Sequence, residues 1–137
     1  MNQWKIIKLK ELVGSKKGKS PKNPVLNEIK GYLPYVDIDA FEKRIIKRYV
    51  PKDDGTPCEK DDLLIVWDGA RSGFVGTGIK GIAGSTIAVL SCKPSILPNY
   101  LYYFLKSKFD YINTNPKGVG IPHVNPQIFW NIDVIEL

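Results

Sequence analysis

The stretch Leu63-Leu64-Ile65-Val66-Trp67 is an unbroken apolar run of strand length that stops abruptly at Asp68-Gly69. A run of this length with β-branched members and no polar alternation predicts a strand in the middle of a sheet, covered on both faces. Whatever else the chain does, it has to supply that cover. The residues that follow narrow the choice further. Six glycines, at positions 69, 73, 76, 78, 81 and 84, alternate with Phe74, Val75, Ile79 and Ile82. Glycine tolerates positive φ and close backbone approach, so this spacing predicts tight strand connections and bulges in a strongly curved sheet. Ser85-Thr86-Ile87-Ala88-Val89-Leu90 then resumes as a strand.

The flanks fill in the remaining elements. Trp4-Lys5-Ile6-Ile7-Lys8-Leu9 mixes apolar residues with lysines as an exposed or edge strand does. From Val13 to Pro24, Gly, Ser, Asn and Pro break any periodicity and four lysines stand without an acid, which predicts a basic loop. Tyr35-Val36-Asp37-Ile38 and Ile45 to Val50 read as strands joined by a helical turn that Asp39 caps, and Pro51 to Pro57 reads as a turn. Pro98 suits the first turn of a helix, and Leu101, Phe104, Leu105, Phe109 and Ile112 make one apolar stripe over about 98–113. The segment 115–120 stops that helix, Asn125-Pro126 starts a short second one through Trp130, and Ile132 to Leu137 is a last strand. The expected class is α+β: a single domain with a strongly curved, mostly antiparallel sheet, one principal helix and a short C-terminal helix. A chain of 137 residues is long enough to bury one ordinary core and too short for two of typical size.

Several function classes fall away. Cys58 and Cys92 lack Cys-x-x-Cys spacing and His123 is the sole histidine, so no zinc cluster is expected and both thiols read as reduced core residues. The first twelve residues alternate charge with apolar side chains, unlike a signal peptide or the roughly 20-residue span of a membrane helix, which predicts a cytoplasmic location. Gly76-Thr77-Gly78-Ile79-Lys80-Gly81 matches the dinucleotide fingerprint in letters only, because a strand rather than a helix follows and no acid lies about 20 positions on. The only Glu-x-Lys, at Glu28-Ile29-Lys30, has no preceding aspartate, as a metal-dependent nuclease of that type needs. The acids Asp53, Asp54, Glu59, Asp61 and Asp62 do not fit a calcium loop and read as a solvated turn. No serine lies in a nucleophile elbow and no nucleophile, base and orienter set is available. The expectation is a protein without catalytic chemistry, cofactor or metal.

A net charge of +6 points instead toward a polyanion. Lys16, Lys17, Lys19 and Lys22 of the basic loop, with Lys80 and Lys117, are the candidates for gripping phosphates, although a lysine-rich turn is also what a merely solvated loop looks like. Arg71 and Ser72 sit on a turn directly beyond the buried strand, where a guanidinium can donate two bonds to a guanine edge; a local pair between Arg71 and Asp68 is the alternative. His123 and Asn125 follow a glycine-rich turn and are further candidates for base edges, with helix capping as the other use of Asn125.

The order of these features resembles a target-recognition domain of type I restriction-modification specificity subunits. The resemblance covers the whole chain and is carried by Trp4 to Leu12, Tyr35 to Ile38, Asp62 to Gly69 with Gly73, Ser85 to Leu90, Asn99 to Leu105, Gly118 to Asn125 and Ile132 to Leu137. It implies binding of one half of a split double-stranded DNA target in the major groove, within a complex that includes methyltransferase and restriction subunits, and no membrane. Two such domains are held apart in the family by long helices; this sequence ends where those would begin, so pairing with a second recognition domain or self-association stays open. The target bases do not transfer, because variable loops carry them. A protein-interaction module of the same fold and a small DNA-modifying enzyme are the rival readings.

Overall fold

The computed structural model describes residues 5–114, 117 and 120–136. In chain order the first half contains β1 (Lys5–Lys8), a 3-10 turn at Leu9–Glu11, β2 (Val13–Lys17), β3 (Tyr32–Val36), α1 (Ile38–Glu42), β4 (Tyr49–Pro51), β5 (Thr56–Cys58) and β6 (Leu63–Val66). The second half contains β7 (Val75–Thr77), β8 (Gly81–Ala83), β9 (Ile87–Cys92), α2 (Pro98–Ser107), α3 (Phe109–Asn113), α4 (Pro126–Trp130) and β10 (Asp133–Glu136). The strands form a ribbon β1-β10 and two four-stranded sheets, β2-β9-β6-β7 and β4-β3-β8-β5. Among the described residues every strand pairing is antiparallel except β3 with β8.

The apolar run sits where its composition requires. β6 lies inside its sheet between β9 and β7, and successive side chains on a strand point to opposite faces. Leu63 and Ile65 accordingly enter one core with Leu9, Leu101, Leu105, Ile112, Phe129 and Val134, from the ribbon and the helices. Leu64 and Val66 enter a second core with Val36, Ala40, Phe41, Cys58 and Ala83, from the other sheet and α1. β9 divides the same way, Ala88 and Leu90 on one side, Ile87 and Val89 on the other. One central sheet therefore has helices on one face and a second sheet on the other.

The α+β class and the antiparallel bias match the sequence reading, but several local readings need correction. The strands divide among three sheets, none closed on itself among the described residues, so the strong curvature expected from the glycines does not show in the topology. Val13 to Lys17 is not loop but the edge strand β2, paired only to β9. Asp37 rather than Asp39 caps α1, accepting the Ala40 N–H at 3.1 Å, because β3 ends at Val36 and leaves Asp37 in extended backbone. Residues 44–48 have no regular structure: Arg44 takes a left-handed φ of 58° and breaks the run before β4 begins at Tyr49. Ser85 and Thr86 form a turn ahead of β9. The principal helix is two, split at Lys108, whose ψ of 7° ends α2. Trp4, Asn115, Pro116, Gly118, Val119 and Leu137, parts of other expected elements, lie outside the described residues.

Close approach explains two of the glycines. A Cβ on Gly76 would lie 2.2 Å from the Phe41 ring, so glycine lets α1 press onto β7. A Cβ on Gly18 would lie 1.9 Å from the Gly84 carbonyl oxygen and 2.6 Å from that of Ala83. Both are backbone atoms and cannot rotate away. Gly18→Ala is therefore expected to destabilise the protein by at least about 1–3 kcal/mol, as overpacking does, seen as a lower urea midpoint at unchanged slope. An unchanged midpoint would show that β2 is free to lift off at that point. Both cysteines are free, and burial pushes the Cys58 thiol up to about 11.

Candidate nucleic-acid interface

The register of the central sheet decides which candidates share a surface. Lys16 and Lys17 at the end of β2 pair with Val89 and Ala88, and Ala88 and Ile87 pair in turn with Ile65 and Val66 at the end of β6. The chain then continues through Trp67, whose N–H donates to Thr86 O at 2.7 Å, into Asp68 and Gly69. Across this end lies the segment 120–124: the Gly69 N–H donates to Pro122 O at 2.8 Å and the Val124 N–H to Trp67 O at 2.8 Å. Lys117 and His123 exchange backbone hydrogen bonds of 2.9 and 3.2 Å. Lys17, Lys117 and His123 thus converge from distant parts of the chain on one end of the sheet, while Lys16, one residue earlier on β2 and paired with Val89, points to the opposite face.

Asp68 is the hub of that cluster. One carboxylate oxygen accepts from the Lys17 ammonium and the other pairs with His123 Nδ1 at 2.5 Å. Burial pushes the Asp68 carboxyl up, but the hydrogen bonds and charges of Lys17 and His123 outweigh it and hold the group below its ordinary value of 3.8. A carboxyl lowered in the folded state stabilises the fold at pH values above its unfolded pKa, and that contribution is lost as pH falls through the lowered folded value. Asp68→Asn is therefore expected to lower the urea midpoint at pH 7 and equally at pH 5, with the gap closing only below about pH 4. A gap of the same size at pH 3 as at pH 7 would contradict the ionic role.

Apolar and capping residues frame the cluster. Trp67 meets Phe129 edge-on at 5.6 Å and Trp130 at 6.2 Å, which seats α4 beside the end of β6. Asn125 caps α4, its side chain accepting the Gln127 N–H at 3.0 Å, so the capping alternative holds for it. Ser15, Lys17, Trp67, Ala88 and Trp130 line an open pocket of about 280 Å³ at this corner.

The remaining candidates are placed differently. Arg71 does not pair with Asp68, whose oxygens are engaged elsewhere. Its guanidinium donates to Glu42 Oε1 at 2.9 Å and lies 4.8 Å from the centre of the Phe74 ring and 5.9 Å from that of Phe109. It stays half exposed on the turn that follows β6. Ser72 is 1% exposed, its carbonyl accepts from Asn113 Nδ2 at 2.9 Å, and its buried hydroxyl has no hydrogen-bond partner among the described residues. It belongs to the frame of the turn, and in this conformation its hydroxyl is withheld from a groove. Lys19 and Lys22 are exposed beyond the end of β2. Lys80 stands apart: Thr77 pairs with Leu63, which puts the following turn at the opposite end of β6, and Lys80 lies 4.0 Å from Glu59. The sequence reading missed Glu42 and the Trp67–Trp130 pair, and it saw Asp68 only as a partner for Arg71.

No group of three or more His, Cys, Asp or Glu is placed to hold a metal ion among the described residues, and no helix among them is long and apolar enough to cross a membrane. A surface of this kind, basic side chains on a rigid strand end beside a half-exposed arginine, suits an anionic polymer. A family model for the type I restriction modification DNA specificity domain matches residues 1–135. The chain belongs to this family. The specificity domain is 34% identical over 133 residues to the type I restriction enzyme MjaVIII specificity subunit of Methanocaldococcus jannaschii, covering 96% of this chain and 31% of that one. Solved structures of S subunits share its fold. The type I restriction-modification S subunit from M. genitalium has a TM-score of 0.69 at 18% identity, over 98% of this chain and 34% of the other. The HsdS subunit from Thermoanaerobacter tengcongensis has a TM-score of 0.72 at 16% identity, over 96% of this chain and 32% of the other. The specificity domain spans about a third of the length of each relative.

Proposed function

We propose that this specificity domain is a single, non-catalytic recognition unit that reads one half of a split double-stranded DNA target for a type I restriction-modification complex. The observation that carries the reading is the 34% identity to a specificity subunit across 96% of the chain. The convergence of Lys17, Lys117 and His123 at one end of the central sheet supports it, because lysines fix register on phosphates while neighbouring side chains reach base edges. Lys16, Lys17, Lys19, Lys22 and Lys117 take the phosphate role, and Arg71 with His123 the base-edge role. Lys80, at the other end of β6, requires DNA that extends past the cluster. Methyltransferase and restriction subunits are the partners the reading implies, in the cytoplasm.

The test is affinity for a random-sequence duplex as a function of salt. Lys16→Ala and Lys19→Ala are each expected to weaken binding to all sequences alike and to reduce the slope of log affinity against log salt by about 0.9, the contribution of one phosphate contact. Unchanged slopes would remove both residues from the interface. One feature favours the interaction-module rival: Ile6 and Ile135 face each other across the ribbon and are 63% and 43% exposed, with Tyr100 bonded to Ile135 O beside them. Binding insensitive to salt would favour that reading over DNA.

A further inference from the structure

The phosphate-gripping Lys17 is not free in this structure: its ammonium is held by Asp68, which at the same time holds His123. Three segments meet at that one carboxylate: the end of β2, the end of β6, and the segment that carries His123. The hub is stiff. Asp68 is bracketed by backbone hydrogen bonds from the Gly69 N–H to Pro122 O and from the Val124 N–H to Trp67 O, and Lys17 is anchored by the Thr56 hydroxyl on its carbonyl at 2.9 Å. The Asp68 side chain is only 21% exposed, against 42% for Lys17 and 47% for His123, so the acid sits beneath its two partners. A carboxylate in that place repels phosphate and restrains both side chains. It works against gripping DNA of any sequence, and it fixes where the two donors stand.

Resting on the DNA-reading role above, we propose that Asp68 is a positioning residue for target discrimination, holding Lys17 and His123 at set places on the strand end and lowering affinity for non-target DNA. Asp68 does not touch a base. It acts through its two partners, and its removal releases Lys17 to follow any phosphate within reach.

The experiment compares wild type, Asp68→Asn and Asp68→Glu, each on a duplex enriched from a randomised pool and on random duplex, across a salt series. Asp68→Asn is expected to bind random DNA more tightly at low salt, with a slope steeper by about 0.9 because Lys17, which Asp68 withholds from the phosphates of random DNA in wild type, gains a contact there, and to lose much of the ratio between enriched and random DNA. Asp68→Glu restores the charge one methylene away from its place, and it is expected to keep the wild-type slope yet lose discrimination. Lysine side-chain NMR of the free proteins adds an arm without DNA: a hindered Lys17 ammonium signal in wild type that is lost in Asp68→Asn. Equal weakening on both duplexes in Asp68→Asn would reduce Asp68 to a structural residue, and full discrimination in Asp68→Glu would show that charge alone matters; either overturns the proposal. Discrimination by wild type that survives in Asp68→Asn overturns it while leaving DNA reading intact. Wild type that does not discriminate at all overturns both.

Discussion

Phe129→Ala is expected to lower the unfolding free energy by about 3–5 kcal/mol, the range for truncating a buried aromatic ring. Phe129 is fully buried and meets Trp67 at 5.6 Å and Trp130 at 4.9 Å. α4 is only five residues long. A helix that short has no stability of its own and depends on its packing, so the ring that seats it also seats Trp130 and the Asn125 cap. Against a typical total of about 5–15 kcal/mol for a domain, the loss is large. Equilibrium urea unfolding measures it directly. Gln127→Ala on the exposed side of the same helix is the control and is expected to change stability by no more than about 0.5 kcal/mol. A loss under about 1 kcal/mol for Phe129→Ala would mean that α4 is not part of the cooperative core.

The second large effect is on recognition. Arg71→Ala is expected to weaken binding to the preferred duplex by about 1–3 kcal/mol with little change on random DNA, as removal of a bidentate base contact does. The structure makes the reason specific. Glu42 and the rings of Phe74 and Phe109 hold the guanidinium from three elements, α1, the β6–β7 turn and α3, so it is ordered before DNA arrives. Ordering in advance lowers the entropy lost on binding. A lysine has neither the planar face to lie on Phe74 nor the fork to match a guanine edge, so Arg71→Lys is expected to behave like the alanine variant. Titrations on both duplexes decide it: equal losses on preferred and random DNA would make Arg71 another phosphate contact.

The sequence was most legible where one physical requirement dominates. Leu63 to Val66 has to be buried on both faces, and the division of its side chains between two cores follows from strand alternation alone. β2 was hidden because only Val13 among its five residues is apolar; an edge strand paired on one side needs little more, and its lysines look like those of a loop. The stripe Leu101, Phe104, Leu105, Phe109 and Ile112 predicted one helix; Leu101, Leu105 and Ile112 are buried in one core with Phe104 packed against it, yet Phe109 is outside that core and the backbone turns at Lys108. The site was the least legible part. Lys17, Asp68 and His123 are brought together by the sheet register and by the segment laid across its end, and no periodicity links them. Glu42 lies 29 positions from Arg71, so only the packing of α1 against the central sheet shows their contact.

The most direct test of DNA reading is retention of a randomised duplex pool on the purified protein at low and at physiological salt, followed by sequencing of what is kept. A half-site reader is expected to enrich a short motif, on the order of three to five base pairs, with enrichment persisting at the higher salt while random retention falls steeply. Retention without any enriched motif at either salt, or no retention even at low salt, would contradict the reading.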